Sequence, residues 1–506
     1  MNDTSKLSNE KHTYGQILRS SVLIGGSTVA SVAIRIVRTK AMAVFVGPAG
    51  VGLLSIYESI TTLVQSIAGL GISGSGVRQI AEAAGTGETE RIARTVVVLR
   101  RTSIILGLLG ALFLALFSRM VSIMTFGNDQ YAGSVAILSL VVFFGLVSGG
   151  QSALIQGMRR ISDLAWMGIL GTLLGTIITI PTIYFFREKG IVPSLVGIAA
   201  MSIATSWWYS RKLQIKPPAM TYRQMRQETV PLLKLGVAFM ASGFFTTGGV
   251  YVVRMIVLRH IGIDAAGLYQ SAWGIGGLYV GFILQAMGAD FYPRLTAVAN
   301  KNEECNRLVN EQALVSLLLA GPGVIATLTF AQAVISIFYS VKFGPAVEIL
   351  RWICLGMTLR VITWPMGFIL VAKGKQNLFM MTDFAWAVVN IALAWICVTM
   401  FGLKGAGIAF FGSCVSHGFL LYPIVRHQSG FRWSSNNRRT GIFLLFLIGV
   451  VFCCFYLVSF WPATVIGTLV TLGTGMYSVR VLVALISPER IPGPIRLLLT
   501  QLRLLR

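Results

Sequence analysis

The chain has 506 residues, of which 55% are hydrophobic and only 12% charged, and its formal net charge is +24. A soluble protein carries about 25% charged residues, so this composition excludes a water-soluble enzyme and points to a chain built mainly of apolar spans. Those spans run unbroken for roughly 20 residues, the length of a helix that crosses a ~30 Å hydrocarbon core. They lack the alternation of barrel strands, so the expected fold class is an all-α polytopic membrane protein.

The first lobe reads as six spans, near residues 17–45, 53–72, 102–124, 132–155, 164–186 and 191–209. Arg91, Arg94, Arg100 and Arg101, then Arg159-Arg160, then Arg211-Lys212, fall between spans on one side. With the N-terminus inside and fourteen spans counted, about thirty of the Lys and Arg residues fall in cytoplasmic segments, as the positive-inside rule expects. The net charge is therefore mostly topology and attraction to anionic headgroups, not a nucleic-acid footprint. The lead from Met1 to Gln16 is polar and no cleavage site follows the first apolar run, so no signal peptide is expected.

A linker follows, KPPAMTYRQMRQETVPLLK, from Lys216 to Lys234. Pro217-Pro218 interrupts helix, and the mixture of Met, Tyr and Leu with Arg223 and Arg226 suits an interfacial segment. It reads as an inside loop or as a hinge. The second lobe repeats the count, near 235–258, 266–289, 314–338, 347–371, 378–401 and 405–425. Two further spans, near 441–460 and 463–486, form a hairpin, and the tail PERIPGPIRLLLTQLRLLR reads as a basic amphipathic helix on the inner leaflet.

An internal register relates the two lobes. Gly47 and Gly262, Gly52 and Gly267, Lys189-Gly190 and Lys404-Gly405, and Arg211 and Arg426 are all 215 residues apart. Six spans per copy would leave both copies in the same orientation, a parallel repeat about the membrane normal. The expected domains are 1–215, 216–430 and an added 431–506.

A charge at the bilayer centre costs roughly 2.5–3.5 kcal/mol on insertion scales, so intramembrane ions are functional candidates. They are Arg35, Glu58, Arg254, Arg351, Arg360 and Asp383, with Arg38 and Lys40 close by. Arg360 lies midway along its span and is the strongest; its structural alternative is an ion pair with Asp383. Arg35, Arg38, Lys40, Arg254 and Arg351 could instead snorkel to an interface, and Glu58 could titrate or neutralise Lys40 or Arg35. Arginine suits phosphate, through bidentate hydrogen bonds and a permanent charge. A cavity lined this way favours an anionic, phosphate-bearing solute. Gln65, Gln151, Gln156, Gln285 and Asn390 could line it or bond between helices.

The six cysteines, Cys305, Cys354, Cys397, Cys414, Cys453 and Cys454, show no C-x-x-C or His-paired spacing, so neither disulfides nor a metal site are expected. No G-x-x-x-x-G-K-[ST] loop is present, so no ATPase and no cofactor are expected. The glycine clusters GLGISGSG, GTLLG and GIGG read as packing sites.

The stretch K-x-x-A-V-x-x-G-P-A-G-x-G-L, Lys40 to Leu53, and the loop VRQIAEAAGTGETERIARTV resemble Wzx-type polysaccharide flippases of the multidrug/oligosaccharidyl-lipid/polysaccharide exporter superfamily. The resemblance implies two six-helix lobes in a V around a cationic cavity. It implies a non-enzymatic transporter that moves undecaprenyl-pyrophosphate-linked glycans from the inner to the outer leaflet of a bacterial cytoplasmic membrane, with both termini inside. Carried over, the cavity cations fall on Arg35, Lys40, Arg254 and Arg360, with Glu58 and Asp383 as coupling or ion-pair acids. The implied partners are the lipid-linked oligosaccharide, membrane lipids and other polysaccharide-assembly proteins, around a monomer driven by the membrane potential or a proton gradient. The extra hairpin departs from the twelve-span pattern and is similar to that of the fourteen-span lipid II flippases. Two other readings stay open: a multidrug antiporter, which would want a net acidic cavity, and a glycan polymerase or ligase, which would want an external catalytic loop.

Overall fold

The computed structural model describes residues 2–485 apart from 87–88, 215–217 and 219. The basic tail and the Pro217 position of the linker thus lie outside the described residues, as does the side chain of Gln285. Among the described residues every regular element is helical. In chain order they are α1 (Asn2–Ala68), α2 (Ile72–Thr86), α3 (Thr89–Leu116), α4 (Ser118–Phe126), α5 (Ala132–Ile137), α6 (Ser139–Gly157), α7 (Ile161–Phe186), α8 (Ile191–Arg211), α9 (Tyr222–His260), α10 (Ile263–Ala297), α11 (Asn302–Thr329), α12 (Ala331–Phe338), α13 (Ala346–Ala372), α14 (Gln376–Phe401), α15 (Leu403–Ser429), α16 (Ser435–Leu457) and α17 (Phe460–Leu485).

Nine helical segments among the described residues are long and apolar enough to cross a membrane, and one of them, 161–211, contains both α7 and α8. Many large apolar side chains point outward, among them Leu112, Phe185, Trp208 and Met400. Exposure on this scale is untenable in water but suits a surface solvated by lipid tails. The expectation of a polytopic helical membrane protein therefore holds.

Several boundaries differ from the sequence reading for local reasons. The first two expected spans are one helical run interrupted at Gly47, whose φ of 68° and ψ of −166° precede Pro48. Glycine tolerates this conformation because it has no Cβ. The expected interfacial segment after Thr221 is no separate helix. Thr221 and Gln224 form a reciprocal capping box, and α9 then runs without a break through Pro231 to His260.

Contacts divide the chain into two compact units, Met1–Gly267 and Leu268–Arg506. In the first, Ile72, Ile80, Val96, Leu99, Leu154 and Leu232 form a buried cluster. In the second, Phe291, Cys305, Met366, Leu370, Val425 and Phe431 do so.

The local backbone recurs at the spacing noticed in the sequence. α7 and α14 start and end 215 residues apart, and so do the ends of α6 and α13. Arg159 and Gly374 both take positive φ, 55° and 71°. Arg187 and Gly402 close α7 and α14 at φ/ψ of 53°/−130° and 63°/−140°. A left-handed arginine is strained by roughly 1–2 kcal/mol. Arg187 is held there by donating to Phe45 O at 3.1 Å, with its guanidinium 5.8 Å from the Phe45 ring centroid.

Candidate functional site

In the first unit the candidate cations surround the kink of α1. Past Pro48 the helix comes against α9 and the start of α10 at distances that exclude side chains. A Cβ on Gly52 would meet Ile263 O at 2.2 Å, and one on Gly267 would meet Pro48 O at 1.9 Å. Both glycines of the sequence register are thus needed for backbone-to-backbone contact. Gly71 and Gly236 make a second such contact, each Cβ falling 2.1–2.2 Å from a carbonyl oxygen of the other segment.

α9 is also fastened by its arginines. Arg254 is 8% exposed and donates from Nη1 to Ser55 O at 3.1 Å and to Ser59 Oγ. Arg259 donates to the terminal carbonyls of α4, at Ile123, Met124 and Thr125, while Tyr251 and Thr125 pair their hydroxyls at 2.6 Å. Arg254 therefore sits on protein acceptors rather than at an open surface. Arg259, which the sequence reading passed over, secures a helix C-terminus alongside the Gly127 N–H, which donates to Ile123 O at 3.0 Å. Arg35 is exposed, while Arg38, Lys40 and Glu58 are half-buried. Arg38 lies within Coulombic reach of both Glu58 and Arg35. Arg38 is thus a further cation near Glu58, beside the Lys40 and Arg35 weighed from the sequence.

In the second unit Arg360 stands at the middle of α13, half-buried. Its guanidinium carbon is 5.4 Å from the Trp386 ring centroid, a cation–π geometry. Trp386 on α14 lies 6.2 Å, centroid to centroid, from His417 on α15. Asp383, one turn before Trp386, and Cys414, one turn before His417, also fall within Coulombic reach of Arg360. No ion pair within 4 Å joins Arg360 to Asp383 among the described residues, so the guanidinium fork is not occupied by that carboxylate. The sequence found Arg360 and Asp383. It missed Trp386 and His417, although the three-residue steps from Asp383 to Trp386 and from Cys414 to His417 each mark one helix face.

Arg351 belongs elsewhere. Its guanidinium lies 3.8 Å from the Phe455 ring centroid of α16, in a crevice of about 720 Å³ shared with Glu348, Lys404 and Tyr456. Of the neutral polar candidates, Gln65 donates to Val141 O at 3.0 Å and Gln151 accepts from Ser206 Oγ at 2.5 Å, both helix-to-helix bonds. Gln156 is exposed and Asn390 half-buried. Among the described residues no cluster of three His, Cys, Asp or Glu could hold a metal ion.

The sequence pattern described as "Polysaccharide biosynthesis protein" matches residues 17–299. The lipid III flippase of Escherichia coli (strain K12) is 23% identical over 417 residues, covering 79% of this chain and 95% of the relative. Among solved structures, the lipid II flippase MurJ in an inward closed conformation aligns with a TM-score of 0.67 at 15% identity, covering 91% of this chain and all of that one. An inward-facing multidrug resistance MATE family transporter of the MOP superfamily aligns with a TM-score of 0.65 at 16% identity, covering 79% and 99%. At such identities the structural likeness speaks for the fold.

Proposed function

We propose that this chain, which belongs to the polysaccharide biosynthesis protein family, is a flippase that carries an undecaprenyl-pyrophosphate-linked oligosaccharide from the inner to the outer leaflet of the cytoplasmic membrane. The relatives are transporters rather than enzymes, and the chain is a multi-pass helical membrane protein. The finer reading rests on one observation above the others: a half-buried arginine at the middle of a span, with an aromatic face beneath it and no carboxylate on its fork.

Arg360 grips the pyrophosphate through paired charge-assisted hydrogen bonds, which a planar guanidinium makes and an ammonium does not. Trp386 supports the guanidinium from one face. Its half-buried ring also suits the apolar face of a sugar. Arg35, Lys40 and Arg254 form a second anion-attracting set, Arg254 by exchanging its bond to Ser59. Glu58 and Asp383 serve as counter-charges or coupling acids. The chain works by alternating access, and residues 1–215 and 216–430 are duplicated six-span lobes followed by the hairpin of 431–506. Outward movement of an anion across an inside-negative membrane is downhill by about 2.3 kcal/mol per charge per 100 mV, so the potential assists without ATP.

The test is transport of lipid-linked oligosaccharide by the purified chain in proteoliposomes, with the glycan made accessible to an external glycosidase. Accessible glycan should rise with an imposed inside-negative potential and fall when it is collapsed. Polymerisation of the glycan by the purified protein alone would overturn the reading. So would transport of cationic drugs with no movement of the lipid-linked glycan.

A further inference from the structure

The first unit holds a second cationic recess that the transport reading leaves unused. It lies among α3, α6 and α8, has a volume of about 240 Å³, and is lined by Arg100, Ser103, Gln151, Trp207, Ser210 and Arg211. No acid lines it. The Arg211 guanidinium carbon stands 4.4 Å from the Trp207 ring centroid, and neither arginine's guanidinium has a hydrogen-bonded or ion-paired partner among the described residues. Ser103 is 1% exposed, yet its Oγ makes no hydrogen bond. A buried hydroxyl without a partner is unfavourable, and an acceptor on a ligand would satisfy it.

The recess opens into an apolar groove of about 440 Å³ that shares Ile104, Val147, Gln151 and Trp207 with it and adds Phe143, Ile203 and Ala204. Ile104 is 42% exposed and Trp207 48%, so the groove faces outward from the unit. A two-arginine pocket at the mouth of an apolar furrow has the polarity of a phospholipid, phosphate at one end and acyl chain along the other. Arg100 and Arg211 flank the spans expected near 102–124 and 191–209, among the basic clusters of that side, where tryptophan and arginine belong at headgroup level. Basic pockets between helices on that side bind anionic headgroups.

The recess is not repeated whole in the second unit. On α6 and α8, Gln151, Trp207 and Ser210 have Met366, Tyr422 and Val425 at the positions 215 residues later, and Met366 and Val425 are core residues at 2% and 0% exposure, while Arg211 has Arg426.

We propose that this recess is a binding site for an anionic glycerophospholipid of the surrounding bilayer, its phosphate held by Arg100, Arg211 and Ser103 and one acyl chain lying in the groove. A recess of this size accepts a phosphodiester but not a pyrophosphate with several sugar rings, so the occupant is the bilayer lipid rather than the transported one.

Photo-crosslinking of the purified full chain with phosphatidylglycerol carrying a diazirine in its acyl chain tests this. Label should map to peptides containing Ile104, Phe143 or Ile203, and unlabelled phosphatidylglycerol should displace it while phosphatidylcholine should not. The Arg100→Gln/Arg211→Gln variant should label about 25-fold less, two charge contacts each worth roughly fivefold, and Arg100→Lys/Arg211→Lys should keep most of the label. Equal labelling by a phosphatidylcholine probe would overturn the site. So would a lysine variant as poorly labelled as the glutamine one. Displacement by undecaprenyl pyrophosphate at lower concentration than phosphatidylglycerol would reassign the site to the transported lipid.

Discussion

The segment α6–α7–α8 and the segment α13–α14–α15 share a backbone register and differ in what they place on it. Their middle helices span residues 161–186 and 376–401 and end in the same unusual φ/ψ. Where the later segment has Arg360, Asp383, Trp386, Cys414 and His417, the earlier has Gly145, Gly168, Gly171, Ala199 and Ser202. The earlier segment uses the smallness of Gly145 and Gly171 for packing. A Cβ on Gly145 would come 2.2 Å from Gln65 Nε2, and one on Gly171 would touch Thr205 Oγ1 at 3.2 Å. The earlier segment builds the same backbone register without these polar residues. A charge at mid-span is costly, which makes Arg360 the candidate to test.

The sharpest way to break this comparison is Arg360→Ala. Losing a charge-assisted grip worth about 2–5 kcal/mol should lower glycan transport at least about thirtyfold while membrane abundance stays near wild type. Arg360→Lys should be clearly impaired, because charge without the fork is insufficient. Full transport by a well-expressed Arg360→Ala would end the case for this residue.

The shared scaffold makes the next prediction. Gly190 and Gly405 occupy the same place after the middle helix, where a Cβ would meet Thr182 O at 2.5 Å and Cys397 O at 2.0 Å. Gly190→Ala and Gly405→Ala should each cost about 1–3 kcal/mol through backbone overpacking, read as lower thermal stability in detergent. Wild-type stability in one and collapse in the other would show that the two segments only look alike.

A smaller effect separates counter-charge from partner. Because no close ion pair joins Arg360 and Asp383, Asp383→Asn should cost no more than about 1 kcal/mol of stability. Adding it to Arg360→Ala should leave abundance unchanged. Recovery of a depleted Arg360→Ala by the second substitution would instead reveal a structural pair.

The smallest effect belongs to Gly168, the register partner of Asp383, around which no atom lies within 4 Å of a built Cβ. Gly168→Ala should change stability by less than about 1 kcal/mol, and in the stabilising direction because alanine is the better helix former. Transport should be unaltered. Strong loss of transport would show that the earlier segment carries a ligand site after all.

Much of this was legible in the chain alone. Hydropathy over runs of about 20 residues dictates helices in a bilayer, because lipid offers no partner to an open backbone, and the spans therefore followed from composition. The 215-residue register was visible in glycines because a positive φ or a backbone contact admits little else. Gly52 and Gly267 show this, standing where a Cβ would strike a carbonyl oxygen. Arg360 was legible because a charge at mid-span is costly wherever its neighbours lie.

Tertiary structure alone decided the partners, since side chains far apart in sequence meet only once helices pack. It put Arg254 on Ser55 and Ser59, Arg38 within Coulombic reach of Glu58, and Arg360 over Trp386 rather than on Asp383. It also joined Arg100 to Arg211 in a recess that no local pattern announces, because the two are brought together by the packing of α3 and α8 around α6. Sequence periodicity selects which face of a helix is apolar. Which other face it meets, and therefore which charge is left facing a ligand, depends on the packed interior.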